Sequence, residues 1–338
     1  MVTIKDIAQA ANVSITTASL ILNNKEGAIR ISEPTKQRVI EAARKLGYVP
    51  NLSARQLRNR EDHRRLTLAL LWPMDTRAST IVRFLNGIQE YIMIEEEMEI
   101  ELLIEPYGEK GIQSVKGLEV PNRFNGAILA HTTKADEQYM DGFSPSVPIV
   151  QFHRYSSKYS YVNANNFQAG EKVAEHFIQN RHQQIAILYP EVSSEALELR
   201  LAGIIGRLEK APQTMYIQKT CTFTEYGGYQ AVRELIQEGY DPTALICISD
   251  HVAMGALSAL HDHGVPVPDQ CEVMGFDNQE FSKFTIPKLS TVHLPVEKMA
   301  KRATQILVQS ILDPLSPVTQ EVFDLEIIHR STTKRGNA

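Results

Sequence analysis

The chain has 338 residues with 35 Lys+Arg against 40 Asp+Glu, a formal charge of −5. No stretch reaches the ~18 consecutive apolar residues of a membrane span, and the opening MVTIKD offers no hydrophobic leader. Neither secretion nor membrane insertion is expected, and a cytoplasmic protein is.

The charge is unevenly spread. Residues 1–65 carry 12 basic against 6 acidic side chains, whereas residues 66–338 carry 23 against 34. A duplex attracts the basic head by charge and counterion release, and repels the acidic body. The asymmetry predicts a nucleic-acid-binding head joined to a body with a different task.

In chain order, VTIKDIAQAANVSITTASLILN (residues 2–23) reads as two short helices. Thr3 and Asp6 have capping-box spacing, which puts a carboxylate near the positive helix end. Ile4, Ile7, Ala8 and Ala11 recur at helical spacing and mark a buried face. Asn12 supplies the left-handed residue of a tight turn. Val13 packs inward, and Ser14 caps a second helix running to about Leu22. Ala18 and Ile21 face the first helix, which leaves Ile15, Thr16, Thr17, Ser19 and Leu20 over the outer side and helix start. A recognition helix presents such groups to the major groove.

An ordinary helical hairpin would show the same pattern, so the following segments matter. Ser32-Glu33-Pro34-Thr35 starts a third helix that ends near Leu46, before Gly47. Tyr48-Val49-Pro50-Asn51 and the helix-compatible LSARQLR (52–58) follow. Arg55, Arg58, Arg60, Arg64 and Arg65 crowd this connector, placed to lie along phosphates or in a minor groove.

With these motifs the chain resembles the LacI/GalR family of bacterial transcription repressors over essentially its whole length. The resemblance is carried by VTIKDIAQAANVS, by SEPTKQRVIEAARKLGYVPN, and by the hinge ending at Leu57 and Arg58. It implies that Ile15 and Thr16 read bases, and that Thr3, Ser14, Thr17, Ser19, Leu20, Asn23, Asn51, Arg55 and Arg58 join them at the DNA. It places Ala54 and Leu57 on a hinge helix whose leucine wedges into the minor groove, unstacking a base step and kinking the duplex. Two departures count against carrying over a known operator. Leu20 stands where many members have an arginine, and leucine can at best touch a thymine methyl. The connection from Asn23 to Ser32 is also longer than usual.

Beyond residue 65, apolar runs of strand length alternate with helical patterns. The runs are 66–71, 100–104, 126–130, 148–152, 184–188, 215–218, 244–248 and 272–276; helical segments include 81–95, 167–180, 196–210, 225–238 and 251–263. The alternation predicts parallel sheets covered by helices. The resemblance implies two doubly wound lobes similar to type I periplasmic binding proteins, joined by three crossovers, with a ligand in the cleft. The expected division is a head at 1–49, a hinge helix and linker at 50–65, and an effector-binding and dimerisation domain at 66–338. Within that domain, lobe 1 takes about 66–162 plus part of 291–328, and lobe 2 about 166–290. The chain would exchange lobes near 163–166 and around 276–295, and a C-terminal helix 296–312 and strand 318–328 would return across them.

Ligands in such sheets lie beyond the carboxyl ends of strands. On the family pattern, the effector-binding candidates are Ser79 and Thr80, Arg154, Arg200, Phe223, Ser249 and Asp250, and Asp277. Carboxylates and guanidiniums suit a small polar ligand because several donors and acceptors converge on it. Each has a plainer reading: Asp250 as a helix cap, Arg200 as an internal ion-pair partner, Phe223 as core. His153 stands where an aspartate usually precedes the arginine, and Asn163 stands where an aspartate is common. The effector is therefore left open between a sugar, a sugar phosphate, a disaccharide and something unrelated.

Other chemistries are unsupported. GxxxxGK[ST], GxGxxG after a strand, and GxSxG are absent. His261 and His263 sit two apart without a third ligand in range. Cys221, Cys247 and Cys271 are isolated, odd in number and set in or beside apolar runs, the pattern of buried reduced thiols. No metal, cofactor or catalytic centre is expected. The sequence reads as a DNA-binding repressor of a carbohydrate-utilisation operon, regulated by a small-molecule effector that either releases or recruits it. A homodimer would meet a pseudo-palindromic operator, with a tetramer left open. The rival is a sugar-binding protein without a DNA role, against which the basic head and absent leader argue.

Overall fold

The structure, a computed structural model, describes residues 4–22, 31–46, 64–73, 78–96, 98–108, 110–119, 123–190 and 194–334. Thr3, Asn23, Asn51, Ala54, Arg55, Leu57 and Arg58 lie outside the described residues, as does the side chain of Ser79.

The head holds α1 (Ile4–Ala10), α2 (Ile15–Leu22) and α3 (Glu33–Leu46). Asn12 turns the chain between α1 and α2 with φ +53°, a conformation asparagine tolerates better than most residues with a Cβ. The Ser14 hydroxyl accepts the Thr17 N–H at 3.0 Å and so caps α2. Ile7, Ala8 and Ala11 meet Ala18 and Ile21 of α2 and Val39 and Ala43 of α3 in one small buried core. The alanines let the helix axes approach closely.

The body has two six-stranded sheets. The first contains β1 (Arg64–Pro73), β2 (Met98–Tyr107), β3 (Gly126–Ala130), β4 (Ile149–Phe152), β5 (Ser160–Ala164) and β11 (Gln320–Phe323), in the order β11-β5-β4-β3-β1-β2. The second contains β6 (Gln184–Pro190), β7 (Met215–Cys221), β8 (Ala244–Cys247), β9 (Glu272–Asp277), β10 (Ser290–His293) and β12 (Glu326–Ile328), in the order β12-β10-β9-β8-β6-β7. All pairings are parallel except β12 on β10. Every residue of β3, β4 and β8 is buried, as befits parallel strands covered on both faces.

Helices α4 (Ala78–Ile94), α5 (Lys134–Gly142) and α10 (Val296–Leu312) serve the first lobe; α6 (Asn166–Gln179), α7 (Glu195–Leu208), α8 (Glu225–Gln237) and α9 (Asp250–Asp262) serve the second. Two close approaches set the cleft walls. A Cβ on Gly170 of α6 would lie 2.2 Å from the Arg200 carbonyl oxygen, and one on Gly203 of α7 would lie 2.0 Å from that of Phe167. The paired glycines bring α7 onto α6 and thereby fix where Arg200 emerges.

Two strand readings are corrected. Strands β5 and β10 were not foreseen, because SYVNA and STVH carry buried polar residues where an apolar run was sought. Those groups are satisfied internally: the Ser160 hydroxyl accepts the Thr319 N–H at 3.0 Å, and the Ser290 hydroxyl lies 2.8 Å from that of Thr333. The segment 318–328 is not one strand, since β11 joins the first sheet and β12 the second. Strand β10 joins the second sheet and leads through Leu294 and Pro295 into α10. Among the described residues no helix is long and apolar enough to cross a membrane.

Candidate functional site

Helix α2 presents the head's outer surface. Ile15 is 53 % exposed. Ser14 and Thr16 are exposed beside it, while Thr17, Ser19 and Leu20 are half-buried along the flanks. The Ser14 and Thr17 hydroxyls lie 2.8 Å apart, so Thr17 offers the outside less than Thr16 does. This surface is small and mostly uncharged, suited to apolar and hydroxyl contacts with base edges.

Between the lobes lies a cavity of about 210 Å³. The first lobe lines it with Thr80 and Arg83 of α4 and with His131, Phe152, His153 and Arg154 beyond β3 and β4. The second lobe adds Ser194, Leu197 and Arg200 around α7, Phe223, Thr224 and Glu225 between β7 and α8, His251 of α9, and Asp277 and Gln279 after β9. Leu294 and Val296, where the chain passes from β10 into α10, also line it.

Arg200 is 2 % exposed and is held from several sides. Its Nε donates to Oδ1 of Asn166 at 2.8 Å, and its Nη1 donates to the Ile248 carbonyl at 3.2 Å and to Oδ1 of Asp277 at 2.9 Å. The guanidinium also lies over the Phe276 ring, 4.9 Å from its centroid. Asp277 has φ +97°, a strained setting for a residue with a Cβ. Its carbonyl takes Nη1 of Arg83 at 2.9 Å, so two arginines hold one residue from opposite lobes. Arg83 also donates to the Leu294 carbonyl at 2.8 Å and meets both carboxylate oxygens of Glu297 at 2.7 and 2.8 Å. Burial pushes the Glu297 carboxyl up, but the Arg83 contacts outweigh it and the net displacement is downward.

Arg154 is anchored by the Thr132 carbonyl at 3.0 and 3.1 Å, by the His153 carbonyl at 2.7 Å, and by Glu137 at 3.0 Å. The Nδ1 of His251 lies 2.6 Å from Oε1 of Glu225. Burial raises the Glu225 carboxyl; the His251 hydrogen bond overrides it, so the net displacement is again downward.

The structure thus gathers Thr80, Arg154, Arg200, Phe223 and Asp277 around one cavity. It does not bring Ser249 and Asp250 to the cavity's lining. Each is 0 % exposed. Ser249 is itself the cap of α9, accepting the Val252 N–H at 3.2 Å, so the cap reading of Asp250 is corrected. The Asp250 carboxyl takes the Gln279 N–H at 2.7 Å and the Thr291 hydroxyl at 2.6 Å, tying the turn after β9 to β10. Burial, reinforced by the Asp277 charge, holds Asp250 well above the ordinary carboxylate range.

Arg83, His131, His153, Glu225, His251 and Gln279 were missed. His131 and His153 sit just past the carboxyl ends of β3 and β4 with φ +56° and +60°. The rule that ligands gather beyond strand ends could have found both. Nothing in VRFLN distinguishes Arg83 from an exposed helical arginine.

Residues 3–51 match the family described as bacterial regulatory proteins, lacI family, and residues 174–333 match the periplasmic binding protein-like domain. The probable HTH-type transcriptional repressor ExuR of Bacillus subtilis (strain 168) is 30 % identical over 345 residues, covering 99 % of each chain. Among solved structures, the lac repressor dimer bound to operator and the anti-inducer ONPF is similar with a TM-score of 0.71 at 23 % identity, covering 98 % of each chain. The complex of the transcriptional regulator CelR with cellobiose gives 0.69 at 24 % identity, covering 98 % of this chain and 100 % of that one.

Proposed function

The chain belongs to the LacI family of DNA-binding transcriptional regulators, and from that premise we propose that it represses a carbohydrate-utilisation operon under the control of a small effector held between its lobes. The observation that carries this reading is the pairing, in one chain, of a recognition helix with an interlobe cavity that converges on Arg200. At about 210 Å³ the cavity falls below the roughly 300–1,000 Å³ of clefts for drug-sized ligands, which favours a monosaccharide-sized effector.

Two copies side by side would meet a pseudo-palindromic operator, since dimer symmetry matches half-site symmetry. The exposed Val82, Met93 and Ile94 of α4 and the exposed Tyr226, Phe284 and Ile286 of the second lobe are apolar surface that such a pairing would cover. The protein works in the cytoplasm, at the nucleoid. Effector in the cleft changes the lobe angle, and the hinge around residues 51–58 loses or gains its hold on the minor groove. Operator and effector must then alter each other's affinity by the same factor.

A fluorescence anisotropy titration against DNA upstream of the chain's own operon, with and without candidate sugars, tests the reading. Saturable binding that shifts with one sugar supports it. Binding no stronger than to unrelated DNA would remove the repressor assignment.

A further inference from the structure

Past the end of β9 the chain takes two successive left-handed residues, Asp277 at φ +97° and Asn278 at φ +53°. Neither is glycine, and a backbone strained in this way persists only where its surroundings fix it. Arg83 of α4 donates to the Asp277 carbonyl at 2.9 Å, the Thr291 hydroxyl of β10 accepts the Asn278 N–H at 3.3 Å, and Asp250 takes the Gln279 N–H at 2.7 Å. The Asn278 side chain adds a further hold. Its Oδ1 accepts Nη2 of Arg330 at 2.6 Å and the Ser282 hydroxyl at 3.4 Å, and its Nδ2 lies 3.0 Å from Nδ1 of His293. His293 stands opposite Asp277 in the β10–β9 register, at the last residue of β10.

These contacts settle which way each hydrogen points. A guanidinium only donates, so the amide oxygen of Asn278 is the atom that faces Arg330. The amide nitrogen also only donates, so Nδ1 of His293 must accept and carry no proton. A neutral imidazole protonated at Nε2 meets that demand. An imidazolium carries an N–H on both nitrogens and would set two donors 3.0 Å apart. Turning the amide over gives no relief, because its nitrogen would then face Arg330.

The charges around the ring act in the same direction. Burial and Arg83 of α4 disfavour the imidazolium, with Lys298 of α10 adding to them; Glu297 of α10 and Glu326 of β12 oppose, and the pKa ends below its ordinary value of 6.5. Asp277, across the strand pair, is already engaged by Arg200 at 2.9 Å.

We propose that His293 is a positioning residue for the cavity: as a neutral acceptor it locks Asn278, and with it the left-handed turn that carries Asp277 and Gln279 into the lining, and its protonation releases that turn. This hold on the wall is independent of which effector fills the cavity. Its contribution is complete above the unfolded histidine pKa near 6.5 and is lost as pH falls from there toward the folded value.

Two measurements on the full-length protein test this. The ring state is read by nuclear magnetic resonance with isotope-labelled histidine, the His293 signal being the one missing from His293→Gln. The turn is read by hydrogen exchange of the 277–284 amides from about pH 7.5 down to about pH 5, corrected for the intrinsic effect of pH on exchange. Expected are an unprotonated Nδ1 at neutral pH, a His293 midpoint below 6.5, and a several-fold loss of protection that follows the same midpoint. His293→Gln keeps an acceptor at every pH and should hold the turn's protection on acidification. Asn278→Gly removes the donor while suiting a positive φ, and should raise the His293 midpoint. A midpoint at or above 6.5, or a protonated Nδ1 at neutral pH, overturns the acceptor role. Protection that falls equally in the parent and in His293→Gln takes His293 off the turn. A midpoint unmoved by Asn278→Gly removes the link through Asn278.

Discussion

Arg200 shows how one side chain can tie several elements together and also line a cavity. It links α7 to Asn166 of α6, to the end of β8 and to Asp277 after β9, so the internal ion-pair reading describes it. Coupling between effector and operator is expected on the order of 5–150-fold. Arg200→Ala should bring that factor close to one while operator affinity without effector is retained, as read by anisotropy; an unchanged effector response would take Arg200 out of the site.

A second residue-scale prediction lies far from the cavity. Glu272 is 1 % exposed, with Nε2 of His182 at 3.1 Å and that of His176 at 3.5 Å. Burial works against its charge, yet the close contacts with His176 and His182 prevail and bring its pKa down to about 2. A depressed carboxylate contributes stability that is complete above its unfolded pKa near 4.3 and lost as pH falls toward the folded value. Glu272→Gln should therefore cost about 2–3 kcal/mol near neutral pH and flatten the acid limb of a denaturation series between about pH 5 and 2. An acid limb identical to that of the parent would show that the cluster contributes nothing.

At the scale of elements, α7 is placed by close backbone contact as well as by its buried Ile204 and Leu208. Gly203→Ala would push a methyl group to 2.0 Å from the Phe167 carbonyl oxygen. The expected loss is about 1–3 kcal/mol, as for other overpacked cores, with the midpoint of urea unfolding shifted and its slope unchanged. A neutral result would mean that α6 and α7 part easily, and the cleft wall with them. In the head, α2 leaves Ile15 and Thr16 outward while Ala18 and Ile21 are buried, a division readable from helical spacing alone. If Leu57 is the minor-groove wedge that the resemblance implies, Leu57→Ala should weaken operator binding well beyond its effect on unrelated DNA, and equal losses on both would remove the wedge. The buried polar strands β5 and β10 were not readable, because their serines, threonine and asparagine acquire partners only from distant segments such as Thr319 and Thr333.

For the whole molecule, the division of labour predicts separable parts. A chain lacking residues 1–60 should remain a soluble dimer that still binds effector, measured by sedimentation and calorimetry. A monomer or an aggregate would place the pairing surface in the head. The sequence by itself determined the DNA-binding head, the α/β class of the body and the family. Charge asymmetry, helical spacing, capping residues and strand-length apolar runs are local properties, and local sequence carries them. It also named Thr80, Arg154, Arg200, Phe223 and Asp277, since family motifs sit beyond strand ends. Only the tertiary structure decided that Ser249 and Asp250 turn inward, that Arg83 reaches from α4 to Asp277 and Glu297, and that Glu225 meets His251. Arg83 and Glu297 are separated by 214 positions, and Asp250 and Thr291 by 41. Which face of a wall a side chain takes depends on partners that only the closed fold supplies, because a buried charge settles where its hydrogen bonds are answered.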